Sequence, residues 1–266
     1  VFNLKVHSQE ARNIDSMLIT AVEKFQKLKV SDNDSLTFYL SSSLDSLLIS
    51  IFSDESSYNY DFSDLKKHCS ILKSDDGLMQ IISWNIYIST GEYFYFGYIQ
   101  YKPNKSDEFY FYELKDVSAS IENPKFSNLN TNKWYGCIYY DIIEQKEKKK
   151  TIYTLLAWDG NNRLTNKKIV EVISFRNNKP NFGYNFDING KKHKRLIFEY
   201  NKRVSMTLRW DEKMKVIVWD HLAPKELRYR EMYQFYGPDF TYDALKFEKR
   251  KWVFIDNIVV TNLKEE

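Results

Sequence analysis

Glycine and proline are scarce in this chain, eight and five among 266 residues. Such low counts exclude a collagen repeat and Gly/Pro-rich low complexity. They also leave little material for phosphate-cradling loops, and no G-x-S-x-G, H-E-x-x-H, Walker or G-x-G-x-x-G signature is present. Two cysteines cannot staple a disulfide-dense small scaffold. Cys69 and Cys137 lie far apart without zinc-ligand spacing, so they read as two buried thiols or as one disulfide. His7, His68, His193 and His221 are scattered, and neither a metal nor a cofactor is expected. Charge of one sign is also lacking: 39 basic against 36 acidic residues give a net charge of +3. The basic run 146–150 reads as a solvated hairpin tip, so no nucleic-acid partner is expected. No uninterrupted run approaches the ~20 apolar residues of a membrane-crossing helix. The longest, Leu44 to Phe52, is broken by Asp and Ser.

What is abundant is aromatic: six Trp, 20 Tyr and 18 Phe. That much apolar surface offsets the ordering entropy of a folded chain and excludes disorder. The pattern changes along the sequence. Met17, Leu18, Ala21, Val22, Phe25 and Leu28 form one helical stripe, with Asp15 as its expected cap. Leu36 to Leu40 and Leu44 to Phe52 are apolar segments that fit helix or strand, and a short helix is expected near Ser63. From about residue 77, β-branched and aromatic residues dominate. Met79 to Ser89 and Tyr93 to Tyr101 flank Thr90-Gly91 as a hairpin, and Phe109 to Leu114 adds a strand. Tyr135 to Ile143 and Thr151 to Trp158 form a second hairpin. Leu164 to Phe175 fits a short helix better than a strand. Val204 to Trp210 alternates as a half-buried strand, Val216 to Trp219 returns, and Trp252 to Val260 closes the chain. The expectation is an α+β fold. An N-terminal helical section (1–76) packs on an antiparallel β-rich body (77–266), the two forming one continuous domain.

Four constellations carry candidate chemistry. Trp158, Asp159 and Asn161 sit at a turn where several oxygens could face a cation or a sugar hydroxyl. Asp220 precedes His221 at a strand end, although neighbours on a strand point to opposite faces. Tyr236, Asp239 and Tyr242 surround a Gly-Pro turn that exposes Asp239, and Asp239 with Asp159 or Asp220 could form a glycosidase-type carboxylate pair. The fourth is the aromatic surplus from Tyr87 to Tyr112, which needs either two covered sheet faces or one face open to a partner. Each of the first three also reads as plain turn or strand-end structure.

Several of these segments recur together: Trp134-Tyr135-Gly136, Tyr139 to Ile143, Tyr153 to Leu156 before Trp158 to Asn161, Arg195 to Tyr200, His221-Leu222, and Tyr236 to Asp239 with Tyr242-Asp243. In this order they resemble a family of exported proteins of unknown function from Bacteroidota, especially flavobacteria. The resemblance implies a removed signal peptide, in agreement with a chain that starts at Val1, and a periplasmic or outer-envelope location. It implies no activity. The leading expectation is a non-enzymatic envelope protein that binds a protein partner through the aromatic sheet or the loops around Asp159 and Asp239. The alternative is a carbohydrate-active protein, binder or hydrolase, with Trp158 and Tyr236 as platforms.

Overall fold

The computed structural model describes residues 2–103, 108–148 and 150–259, with side chains from Ile14 onward. The fold is α+β, with helices first and antiparallel sheets after them. The chain divides into two compact units, 1–119 with 131–139 and 120–130 with 140–266. The backbone therefore passes between units after residues 119, 130 and 139. The expected boundary near residue 77 falls inside the first unit, because the helices share their core with the first sheet.

In the first unit, α1 (Phe2–Lys29) and α2 (Asp34–Phe52) precede a sheet of β1 (Ser70–Lys73), β2 (Met79–Tyr87), β3 (Tyr93–Tyr101) and β4 (Tyr110–Leu114), antiparallel in that order. Asp15 is not a cap. It lies inside α1 and accepts a hydrogen bond from the Tyr60 hydroxyl. The cap that matters is Asn33, whose Oδ1 accepts from Leu36 N at 2.9 Å and starts α2. The two apolar segments at 36–52 are thus one helix. Its buried Leu40, Leu44, Leu48 and Ile51 recur at helical spacing on one stripe. By length and composition alone α2 could cross a membrane, since its serines interrupt the apolar run without taking it out of that class. Here its stripe joins one core with Phe25, Ile82, Trp84 and Tyr98.

The aromatic surplus is divided by the two-residue period of the strands. Ile82, Trp84, Ile86, Phe96 and Tyr98 share the core with the helices, and Trp84 stacks on Phe96 at 4.0 Å. Gln100 is buried on that face and donates to Phe52 O (2.7 Å) and Ser57 Oγ (2.8 Å), so its amide is satisfied. On the other face Met79, Ile81, Tyr95, Ile99 and Leu114 are buried, while Tyr93, Tyr101, Tyr110 and Tyr112 are half-buried. Among the sheet tyrosines described, Tyr87 is the exposed one.

The second unit contains β5 (Leu129–Asn130), most of β6 (Ile138–Glu147), β7 (Lys150–Asp159), β8 (Thr165–Arg176), β9 (Lys179–Phe182), β10 (Phe186–Ile188), β11 (Lys191–His193), β12 (Leu196–Asn201), β13 (Leu208–Asp211), β14 (Val216–Pro224), β15 (Tyr236–Glu248) and β16 (Lys251–Ile255). One sheet runs β5-β9-β8-β7-β6 with β12 also paired to β8; another runs β13-β14-β15-β16; β10 and β11 form a ribbon. A single core gathers Leu156, Val170 and Leu196 from the first sheet with Leu208, Ile217 and Leu245 from the second. The segment expected as a helix at 164–175 is the strand β8. Its Ile169, Val170, Val172 and Ile173 are all buried, and a strand covered on both faces shows no alternation. Residues 236–243, expected as a turn, open the long strand β15. The basic tip includes Lys149, and the closing strand was expected to reach Val260; both positions lie outside the described residues. Cys69 and Cys137 are buried thiols, not a disulfide.

A buried ion pair organises this unit. Arg195 Nε donates to Glu171 Oε1 at 2.6 Å, with the two side chains 0% and 1% exposed. Arg195 Nη1 donates to Pro124 O and to Ser127 O (3.1 Å). The guanidinium thus brackets Lys125 and Phe126 from both sides, and Lys194 N fixes Lys125 O at 2.7 Å.

Candidate functional site

The site grows out of an irregularity between β14 and β15. Asp220 pairs with Tyr242, but Leu222 pairs with Pro238, so Asp239, Phe240 and Thr241 together oppose His221. A bulge of this kind re-aims side chains at a sheet edge. Trp219 faces Asp243 across the ladder, and His221 follows two positions on. His221 Nδ1 meets Asp243 Oδ2 at 2.8 Å, which makes Nδ1–H the donor and leaves Nε2 as the ring's second polar atom. Asp243 is held in turn by Asn257 N, which donates to its Oδ1 at 3.2 Å.

Trp219, His221 and Asp243 line a cleft of about 310 Å³. Buried Trp219 is part of its lining, with Phe198 at 5.0 Å and Phe254 stacked at 6.1 Å. Phe198 and Phe254 are half-buried, so each offers part of a ring to the cleft. The polar lining is Lys125, Asn189, His193, His221, Asp243 and Asp256. His193 stacks on Phe126 at 5.0 Å, within the segment bracketed by Arg195.

The two imidazoles are driven apart. The hydrogen bond to Asp243 holds His221 above its usual pKa; burial opposes this, and the charges of Asp243, Asp239 and Asp256 add to it. Burial pushes His193 below its usual value, helped by the charges of Lys125 and Lys191. Burial likewise lowers the Lys125 pKa, against the charge of Glu199. The two imidazoles lining this cleft are thus shifted in opposite directions.

The residues singled out in the sequence are placed unevenly. His221 is at the site, but its partner is Asp243. Asp220 instead accepts from Thr207 N at 2.6 Å. Asp159 accepts from Asn161 N at 2.7 Å and lies 3.7 Å from Lys167. Asn161 sits at φ 49° and donates through Nδ2 to Thr165 Oγ1 and Glu199 Oε1, while its Oδ1 accepts from Lys167. The Trp158–Asn161 turn is therefore consumed by its own network, with Trp158 half-buried beside it. Asp239 accepts from Thr241 N (3.0 Å) and Oγ1 (2.7 Å). Burial raises its pKa, but these hydrogen bonds and the charge of His221 leave it lowered overall. Tyr236 accepts from Glu231 N at 3.0 Å and, with Asp239, lines a neighbouring cleft. Tyr242 is half-buried opposite Asp220.

Sequence reasoning missed Phe198, Phe254, Asp256, Lys125 and His193. Asp243 was visible as a neighbour of Tyr242, but a partner 22 positions from His221 has no sequence signature. Among the described residues no group of three or more His, Cys, Asp and Glu side chains could hold a metal.

Comparison with family models, with curated proteins and with solved structures finds no match for this chain.

Proposed function

We propose that the protein is a carbohydrate-binding protein of the bacterial cell envelope and that the cleft over Trp219 is its binding site. One observation carries this reading: apolar ring surface from Phe198 and Phe254 lies beside donors and acceptors of both charge signs. A sugar ring has an apolar face and a rim of hydroxyls that both donate and accept. It needs an aromatic wall and a mixed polar lining together. A purely anionic or cationic ligand would leave either Asp243 and Asp256 or Lys125 opposed by like charge.

Binding fits the geometry better than hydrolysis by the carboxylates first singled out. Asp159, Asp220 and Asp239 each accept a hydrogen bond from a backbone amide, which commits an oxygen to local structure. The protein-partner reading draws less support, because most of the first sheet's aromatic surface is covered on both faces. The envelope location rests on the sequence resemblance.

The test is a glycan array followed by calorimetry and tryptophan fluorescence on the hits. A bound sugar is expected to change the emission of Trp219, and Trp219→Phe is expected to remove that change. Phe254→Ala is expected to weaken binding by about three- to tenfold, from an aromatic contact of about 0.5–1.5 kcal/mol. An array without hits, or hits unaffected by Phe254→Ala and His221→Ala, overturns the reading.

A further inference from the structure

We infer that the ligand is a chain of sugar rings that continues from the Trp219 cleft across the β15 bulge into a second cleft, with Phe240 as a platform between them. This rests on the glycan reading above and names its ligand class.

The second cleft measures about 520 Å³ and is lined by Asn201, Ala223, Pro224, Tyr236 and Asp239 among others. It follows the first along the same two strands. On β12, Leu196 to Phe198 line the first cleft and Asn201 lines the second. On β14, Trp219 and His221 line the first, and Ala223 and Pro224 line the second. At a rise of ~3.3 Å per residue, Trp219 to Pro224 spans roughly 17 Å, which is longer than one sugar ring. The charge of Asp239, which lines the second cleft, also helps raise the pKa of His221 in the first.

Phe240 lines neither cleft, but along the backbone it follows Asp239 of the second and falls opposite His221 of the first. It occupies the bulge opposite His221, is 91% exposed, and holds φ at 72°. A bulky residue in the left-handed region costs on the order of 1–3 kcal/mol. An exposed ring returns none of that through burial. Glycine would take this backbone shape freely, so the side chain needs a reason outside the fold. An exposed ring on the bulge that joins residues of the two clefts supplies one, as a surface for the apolar face of a passing sugar.

The test uses glucan, mannan and chitin oligomers from monosaccharide to hexasaccharide, with calorimetry on the full chain. Affinity is expected to rise at least tenfold with length for the recognised series. Phe240→Ala and Phe240→Gly are expected to cost the longer oligomers about three- to tenfold while leaving the shortest bound ligand unchanged. Phe240→Gly is also expected to melt at or above the parent temperature, which separates lost affinity from lost folding. Sugar binding that is flat with length, or undiminished in both Phe240 variants, overturns this inference and leaves the Trp219 site standing. Failure of every sugar to bind overturns both.

Discussion

Replacing Arg195 by methionine is the most informative single perturbation of the second unit. The substitution keeps an unbranched apolar stem but removes the charge that faces Glu171 at 2.6 Å in a site closed to water. It also strips the donors from Pro124 O and Ser127 O. Removing one partner of a buried pair costs about 3–5 kcal/mol, because the other charge stays desolvated without compensation. For a unit of this size that corresponds to a loss of roughly 10–20 °C in melting temperature. The paired variant Arg195→Met/Glu171→Met leaves no orphaned charge and is expected to recover most of the loss. Calorimetric unfolding of the parent, the two single variants and the double variant measures the coupling. Lys125 and Phe126 lose their clamp, so the His193–Phe126 stack at the cleft should loosen even in the double variant. Sugar affinity should then fall although stability returns. A single variant within about 1 kcal/mol of the parent, or a double variant as unstable as the sum of the singles, would refute the account.

Two further expectations concern ionisation. Asp243→Asn should lower the His221 titration toward the ordinary imidazole range, read by nuclear magnetic resonance. The folded pKa is raised above the unfolded value, so the stability from charged His221 is fully present below ~6.5 and is lost as pH rises through the folded value. Asp243→Asn should flatten the stability profile across that window, and an unchanged profile would show that the contact does not control the titration. Burial pushes the Cys69 thiol up, and Cys137 is equally enclosed, so neither should react with a thiol reagent in native protein at mildly alkaline pH. Both should react after denaturation; rapid native labelling of either would contradict the burial.

Local pattern carried the fold where one face of an element is wet or a turn is sharp. The hairpin at 79–101 is framed by Thr90-Gly91 and was legible. So was the switch from helical to strand character, although it comes at Ser70 with β1 rather than near residue 77. It failed where tertiary burial overrides period. β8 is covered on both faces, and its Ile169-Val170 and Val172-Ile173 pairs imitate a helix stripe. Asp15 offered an N-cap type of residue, yet it serves Tyr60 from within a longer helix. At the site, His221 was legible as a polar strand residue, although β14 does not end there and runs on to Pro224. Its partnership was not, because the bulge at 239–241 decides which residues oppose it, and nothing local to His221 encodes that offset. The aromatic wall escaped notice for a different reason. Phe198 and Phe254 are separated by more than 50 positions and look like ordinary strand residues until two sheets bring them together.

The three passages of the backbone between units bear on how the protein is made. Residues 120–130 belong to the second unit, but 131–139 return to the first. A ribosome therefore releases part of the later unit before the earlier one is complete. The first unit cannot close until Tyr139 has emerged, and residues 120–130 must wait for β8, β9 and β12 to be synthesised. No single cut yields both units whole. A laboratory dissection that respects the fold has to rejoin 119 to 131 for one piece and 130 to 140 for the other, so each half needs a splice rather than a truncation.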